Sequence, residues 1–124
     1  MKNLTNIGRI IYGLPFVIFG LNHLMGADGM AGMVPSFIPG GIVWIYVTGL
    51  AELAAGIAII SKKYIRLATL LLACLIGVYI LTIHIPGLGS ADEMGKIMSM
   101  VMLLKDLGLA GAALMISGLH ADEQ

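Results

Sequence analysis

The sequence has a single cysteine, Cys74, and only 11% charged residues. A lone cysteine excludes an intrachain disulfide, a CxxC redox pair and a cysteine-built zinc site. Soluble domains carry about 25% charged residues, so charge here is too sparse to cover a water-facing surface. Formal net charge is zero and no basic run occurs, which removes nucleic acid as an expected partner. A Gly-rich phosphate loop, a nucleophile motif and an HExxH-type metal signature are also missing. No catalytic residue, metal or cofactor is expected on that basis, and an enzyme is the less favoured reading.

What the chain has is apolar length. It is 59% hydrophobic with a mean hydropathy of +0.99 over 124 residues. One domain spanning 1–124 is expected, with room for four membrane spans of ~20 residues each. Hydropathy and punctuation place them at about 4–25, 42–60, 64–84 and 91–118, giving an all-α, four-helix transmembrane bundle. The first span resembles a signal peptide at its start, but its apolar stretch continues to Met25 and includes Asn22 and His23, so it is read as retained. Pro35 and Pro39 limit helix in the loop after it. "HIPGLGS" is expected to stop the third helix, because the residue before Pro86 is biased away from helix. "SADE" reads as a capping box, Ser90 with Glu93, opening the fourth.

Basic residues set an expected orientation. Lys2, Arg9, Lys62, Lys63 and Arg66 fall at one end of the bundle, whereas the two proline-bearing junctions hold only Lys96. The positive-inside bias puts both termini in the cytoplasm. Trp44, Tyr12, Tyr46 and Tyr64 are expected in the interfacial aromatic belt.

Polar residues inside the spans carry the functional question. Glu52 stands in the middle of "TGLAELAAGIAII", where a charge costs roughly 2.5–3.5 kcal/mol on insertion scales. Gly49 and Gly56 share its helix face, so that face is expected to meet another backbone closely. "LLKDLG" puts Lys105 and Asp106 at similar depth in the fourth helix, with Gly108 and Ala112 on the Lys105 face. A Glu52–Lys105 ion pair is the expected partnership, and Asp106, ~100° around the helix, looks to another neighbour. His23 and His84, with Asn22 and Tyr79 nearby in sequence, complete a candidate pocket. The histidines are expected at its outer mouth and the charged group at its floor. Each hairpin also has a histidine late in its first helix and an acid midway down its second, a weak signature of two parallel repeats. The same residues have structural alternatives: an ion pair that sets helix register, and histidines that merely satisfy loop carbonyls. Met94, Met98 and Met102, with Met25, Met30 and Met33, could offer soft ligands to Cu(I), but a methionine stripe is more often adaptable packing.

Three blocks, "RIIYGLPFVIFGLNHL", "VPSFIPGGIVWIYVTGLAELAAGIAII" and "VYILTIHIPG", resemble the DoxX family in order and spacing. The glutamate of "GLAELAAG" and the histidine of "HIP" are the strongest points. The resemblance implies a four-helix bundle in a bacterial or archaeal cytoplasmic membrane. The family takes its name from a subunit of a thiosulfate:quinone oxidoreductase, and similar eukaryotic proteins include a chaperone for nicotinic-receptor assembly. Two expectations arise from it. The first is a non-enzymatic, chaperone-like or accessory protein whose pocket binds a membrane lipid, a small ligand or a partner membrane protein. The second is a quinone-interacting subunit, with His23 or His84 donating to a quinone oxygen and Glu52 or Asp106 relaying protons.

Overall fold

A computed structural model describes residues 2–122. Four long helices cross it: α1 (Lys2–Met25), α2 (Ile42–Ser61), α3 (Ile65–Gly87) and α4 (Glu93–Leu119), each long and apolar enough to span a membrane. No strand occurs among the described residues. Large apolar side chains such as Ile11, Leu50, Leu71 and Leu104 are exposed on all four helices. In water such a surface would drive aggregation; in hydrocarbon it is the ordinary contact face. This is a multi-pass membrane protein.

The helices pack mainly within two hairpins, α1 on α2 and α3 on α4, joined where α2 meets α3. Glycine makes the first hairpin possible. A Cβ added at Gly20 would lie 2.6 Å from the Leu53 nitrogen and 2.7 Å from the Gly49 carbonyl oxygen. One at Gly56 would lie 2.7 Å from the Val17 nitrogen, and one at Gly49 2.6 Å from the His23 Cβ. These neighbours are largely backbone and cannot move aside, so the two helices touch main chain to main chain, as membrane helices do where small residues align. The expectation for the Gly49–Gly56 face holds, and its partner is α1. The corresponding expectation for α4 fails. Gly108 is exposed with open space around it, and the buried side of α4 carries Asp106, Ala113 and Ser117 instead. Small residues permit close packing without requiring it.

Between the hairpins lies a core of Phe16, Ala55, Ile59, Leu72, Ile76 and Ile80. Two arginines close the end that also carries Lys62. Arg9 Nη1 donates to the carbonyls of Ile59 (2.7 Å) and Ile60 at the end of α2. Arg66 Nη1 donates to the Ala121 carbonyl beyond α4 at 3.0 Å, while Ser117 Oγ donates to the Arg66 carbonyl at 3.2 Å. Each arginine supplies a cation and a donor where a helix leaves carbonyls unpaired.

Two helix boundaries differ from the sequence expectation. Segment 85–87 stays helical through Pro86, because α3 widens into a π-helical turn over Ile80–His84. There the Ile85 N–H reaches the Ile80 carbonyl, five residues back. Widening removes the clash a proline ring makes with a carbonyl four residues earlier, so the helix continues. At the start of α4 the cap is Asp92, whose carboxylate accepts from Gly95 N at 2.8 Å; Ser90 Oγ instead accepts from Asp92 N. The acid nearest the helix start takes the capping position.

The glycine contacts give a signed prediction. Gly20→Ala should lower the melting temperature in detergent, since overpacking costs about 1–3 kcal/mol. Gly108→Ala should leave it unchanged or raise it, because alanine favours helix by about 0.5–1 kcal/mol. Equal responses from the two variants would contradict the main-chain contact.

Candidate functional site

A cavity of about 420 Å³ opens among the four helices and the loop joining α1 to α2. Its walls are mostly apolar, with Phe16 and Phe19 from α1, Met33 and Ile38 from the loop, Ile45 from α2 and Ile83 from α3. Into this lining project His23, Thr48, Glu52, Tyr79, His84, Lys105 and Asp106. Six of the seven residues expected from the sequence therefore meet around one space. Asn22 does not. It lies on the exposed side of α1, and its main chain is spent accepting from Gly26 N at 2.8 Å.

The polar groups form two histidine–carboxylate pairs, one inside each hairpin. In the first, His23 Nδ1 of α1 lies 3.4 Å from Glu52 Oε2 of α2, and Tyr79 donates its hydroxyl to Glu52 Oε1 at 3.2 Å. In the second, His84 Nε2 of α3 lies 2.8 Å from Asp106 Oδ2 of α4. The parallel echo between the two hairpins thus has a geometric counterpart. Glu52 and Asp106 are 5% and 6% exposed, so each carboxylate depends on its partners rather than on solvent.

Two sequence expectations are corrected by this geometry. Lys105 pairs with its neighbour Asp106, Nζ to Oδ1 at 3.4 Å, and not with Glu52. Its side chain is 46% exposed, and Nζ sits 5.9 Å above the Phe19 ring on the seam between α1 and α4. The rotation of α4 decides this, because the Gly108 face looks outward. Each histidine touches a carboxylate directly, and its side chain is the more exposed of the pair, 20% against 6% for His23 and Glu52 and 14% against 8% for His84 and Asp106. Trp44 and Tyr12 are not simply belt residues. Trp44 lines the cavity and donates Nε1–H to the Pro39 carbonyl at 2.6 Å, tying the loop to α2. Tyr12 donates to the Leu109 carbonyl at 2.6 Å, bridging α1 to α4.

Phe16, Phe19 and Thr48 were not singled out from the sequence. Phe16 and Phe19 flank the face of α1 that bears Gly20 and His23, so helical spacing from His23 was the available signal. Met94 and Met98 are exposed, which turns that stripe away from the cavity, whereas Met30 and Met33 line it. Among the described residues no group of three His, Cys, Asp or Glu side chains could hold a metal ion.

Four apolar helices around a cavity lined by two imidazole–carboxylate pairs, their carboxylates buried, define a small multi-pass membrane protein. A family model narrows this further: DoxX matches residues 4–85, from α1 to Ile85 in α3. The chain belongs to the DoxX family. No curated protein and no solved structure matches it. The match stops before α4, so both cavity histidines and Glu52 lie within it, while Lys105 and Asp106 lie beyond it.

The pairings predict unequal couplings. A double-mutant cycle on His84→Ala and Asp106→Asn should show a stability coupling of about 0.5–3 kcal/mol. A cycle on Glu52→Gln and Lys105→Met should show a clearly smaller one. Thermal unfolding of the wild type and of each cycle's single and double variants checks this; a reversal would restore the Glu52–Lys105 pair.

Proposed function

We propose that the protein is a non-enzymatic binding component of the membrane, acting through this cavity on a lipid, a small apolar ligand or a segment of a partner membrane protein. One observation carries the reading. An apolar-walled space of about 420 Å³ is lined in part by a buried carboxylate, Glu52, one of whose oxygens makes no hydrogen bond among the described residues. Ligand sites combine mostly apolar walls with a few placed polar groups, and about 300–1,000 Å³ is their usual size. An ionisable residue retained inside a membrane span, against the cost of burying it there, also points to use. An assembly or chaperone-like role is the form this binding takes where the occupant is another membrane protein.

The second reading is a quinone-interacting subunit of an oxidoreductase complex. It is favoured by the placement of His23–Glu52 and His84–Asp106 on separate hairpins around one cavity. Such pairs can exchange protons with a bound ring from two sides.

For orientation, both termini in the cytoplasm of a bacterial or archaeal cell fit the distribution of basic residues. Arg9 and Arg66 are tied to helix ends, so Lys2, Lys62 and Lys63 carry this argument. The loop joining α1 to α2 then faces outward. Reporter fusions beyond the carboxyl end and within 27–40 should read inside and outside respectively; the opposite pattern would invert the cavity.

The functional test is the material that travels with the protein. Mass spectrometry of solvent extracts from the purified chain should show one lipid class, quinone or partner enriched over the host membrane. Thr48→Phe, which fills the cavity, should abolish that enrichment while the fold melts within a few degrees of wild type. Enrichment of quinone selects the second reading. Extracts that mirror the bulk membrane for both proteins would overturn the binding reading.

A further inference from the structure

Building on the binding reading, we infer that the cavity selects apolar molecules whose head group donates a hydrogen bond, and that Glu52 Oε2 is the acceptor. A count of donors and acceptors around the cavity leads there. Trp44 gives its indole N–H to the Pro39 carbonyl at 2.6 Å, and Thr48 its hydroxyl to the Trp44 carbonyl at 2.8 Å. Tyr79 gives its hydroxyl to Glu52 Oε1 at 3.2 Å. His23 Nδ1 lies 2.8 Å from the Phe19 carbonyl and 3.4 Å from Glu52 Oε2; the carbonyl can only accept, so the Nδ1 hydrogen goes to it, and Oε2 keeps an imidazole neighbour without a hydrogen bond. His84 Nε2 is joined to Asp106 at 2.8 Å, and Lys105 reaches that same carboxylate at 3.4 Å. The donors lining the cavity are thus largely spent on the protein itself.

The acceptors are not. Glu52 lines the same space, and its buried Oε2 has no hydrogen-bond partner among the described residues; a turn of the carboxylate presents that oxygen to an occupant. Glu52 as a whole is 5% exposed, so bulk water does not supply the missing bond. An unpaired buried carboxylate oxygen is costly, and a donor-bearing occupant removes that cost. Anionic heads meet two buried carboxylates and only one lysine, itself half exposed and engaged by Asp106. Carbonyl and ether heads find few free donors. Ammonium and hydroxyl heads both meet the requirement. For a quinone couple, the reduced form with its O–H groups is the better occupant than the oxidised form.

The test compares one chain with four heads. Dodecylamine, 1-dodecanol, dodecyl methyl ether and laurate are titrated into the protein in phosphatidylcholine nanodiscs. Trp44, the only tryptophan, lines the cavity and reports binding by its fluorescence. Amine, alcohol or both should bind at least about tenfold more tightly than ether and laurate, the scale of one charge-assisted hydrogen bond. Preference for amine assigns a cationic head; equal binding of amine and alcohol assigns a neutral donor. Glu52→Gln should erase the preference, because Tyr79 keeps the amide oxygen and the amide nitrogen, a donor, takes the Oε2 position. If that variant does not fold, the wild-type series decides by itself. Equal binding of all four heads would overturn the donor rule and leave the binding reading standing. No response to any probe, with the protein folded, would overturn both.

Discussion

The main-chain contact between α1 and α2 is the constraint on which the rest of the structure depends. Gly20 faces Gly49 and Leu53, and Gly13 faces Gly56, so the two backbones approach as closely as helices can. Lipid offers no hydrophobic drive for helices to associate, and close packing must supply it. The same approach places His23 over Gly49, one turn from Glu52 on the face that meets α1. The first polar pair is therefore a product of the glycine contact. Without it, Glu52 would lose an imidazole neighbour at a depth where water cannot substitute.

Each hairpin meets its own polar requirement. His23 serves Glu52, His84 serves Asp106, and Tyr79 crosses from α3 to Glu52 to link the halves. Because the pairs close within hairpins, α1 and α4 need not pack backbone to backbone. They are joined through side chains instead, by Tyr12 to the Leu109 carbonyl and by Lys105 over Phe19. That looser seam leaves volume between the hairpins, and the volume is the cavity. The π-helical turn at Ile80–His84 belongs to the same design. An extra residue in one turn rotates the remainder of the helix by ~100°, and His84 stands at that turn facing Asp106. Such turns recur at functional sites because they re-aim a side chain without ending a helix.

Much of this was legible in the chain. Four apolar runs separated by Pro, Gly and charged residues define four spans, since hydrocarbon admits few alternatives to helix. Gly49 and Gly56 flanking Glu52 correctly marked a face in contact with a neighbour. What the chain did not reveal was rotation about the helix axes. Lys105 and Asp106 are adjacent, so a choice between them is a choice of ~100°, and the small residues near Lys105 pointed the wrong way. Asn22 next to His23 posed the same ambiguity, and the exposed side of α1 claimed it. Pro86 was misjudged as a stop for a different reason. Its cost is local and was counted, whereas the π-helical turn that absorbs it depends on five residues acting together.

In the proposed function the space lined by Glu52 is a binding site and not a packing defect. A crystal structure grown from a lipidic phase tests it most directly. The account predicts elongated non-protein density within the cavity, running between Phe19 and Ile83 and ending within hydrogen-bond distance of Glu52 Oε2. A cavity closed by inward movement of Phe19 and Met33, with Glu52 fully paired by protein groups, would contradict it.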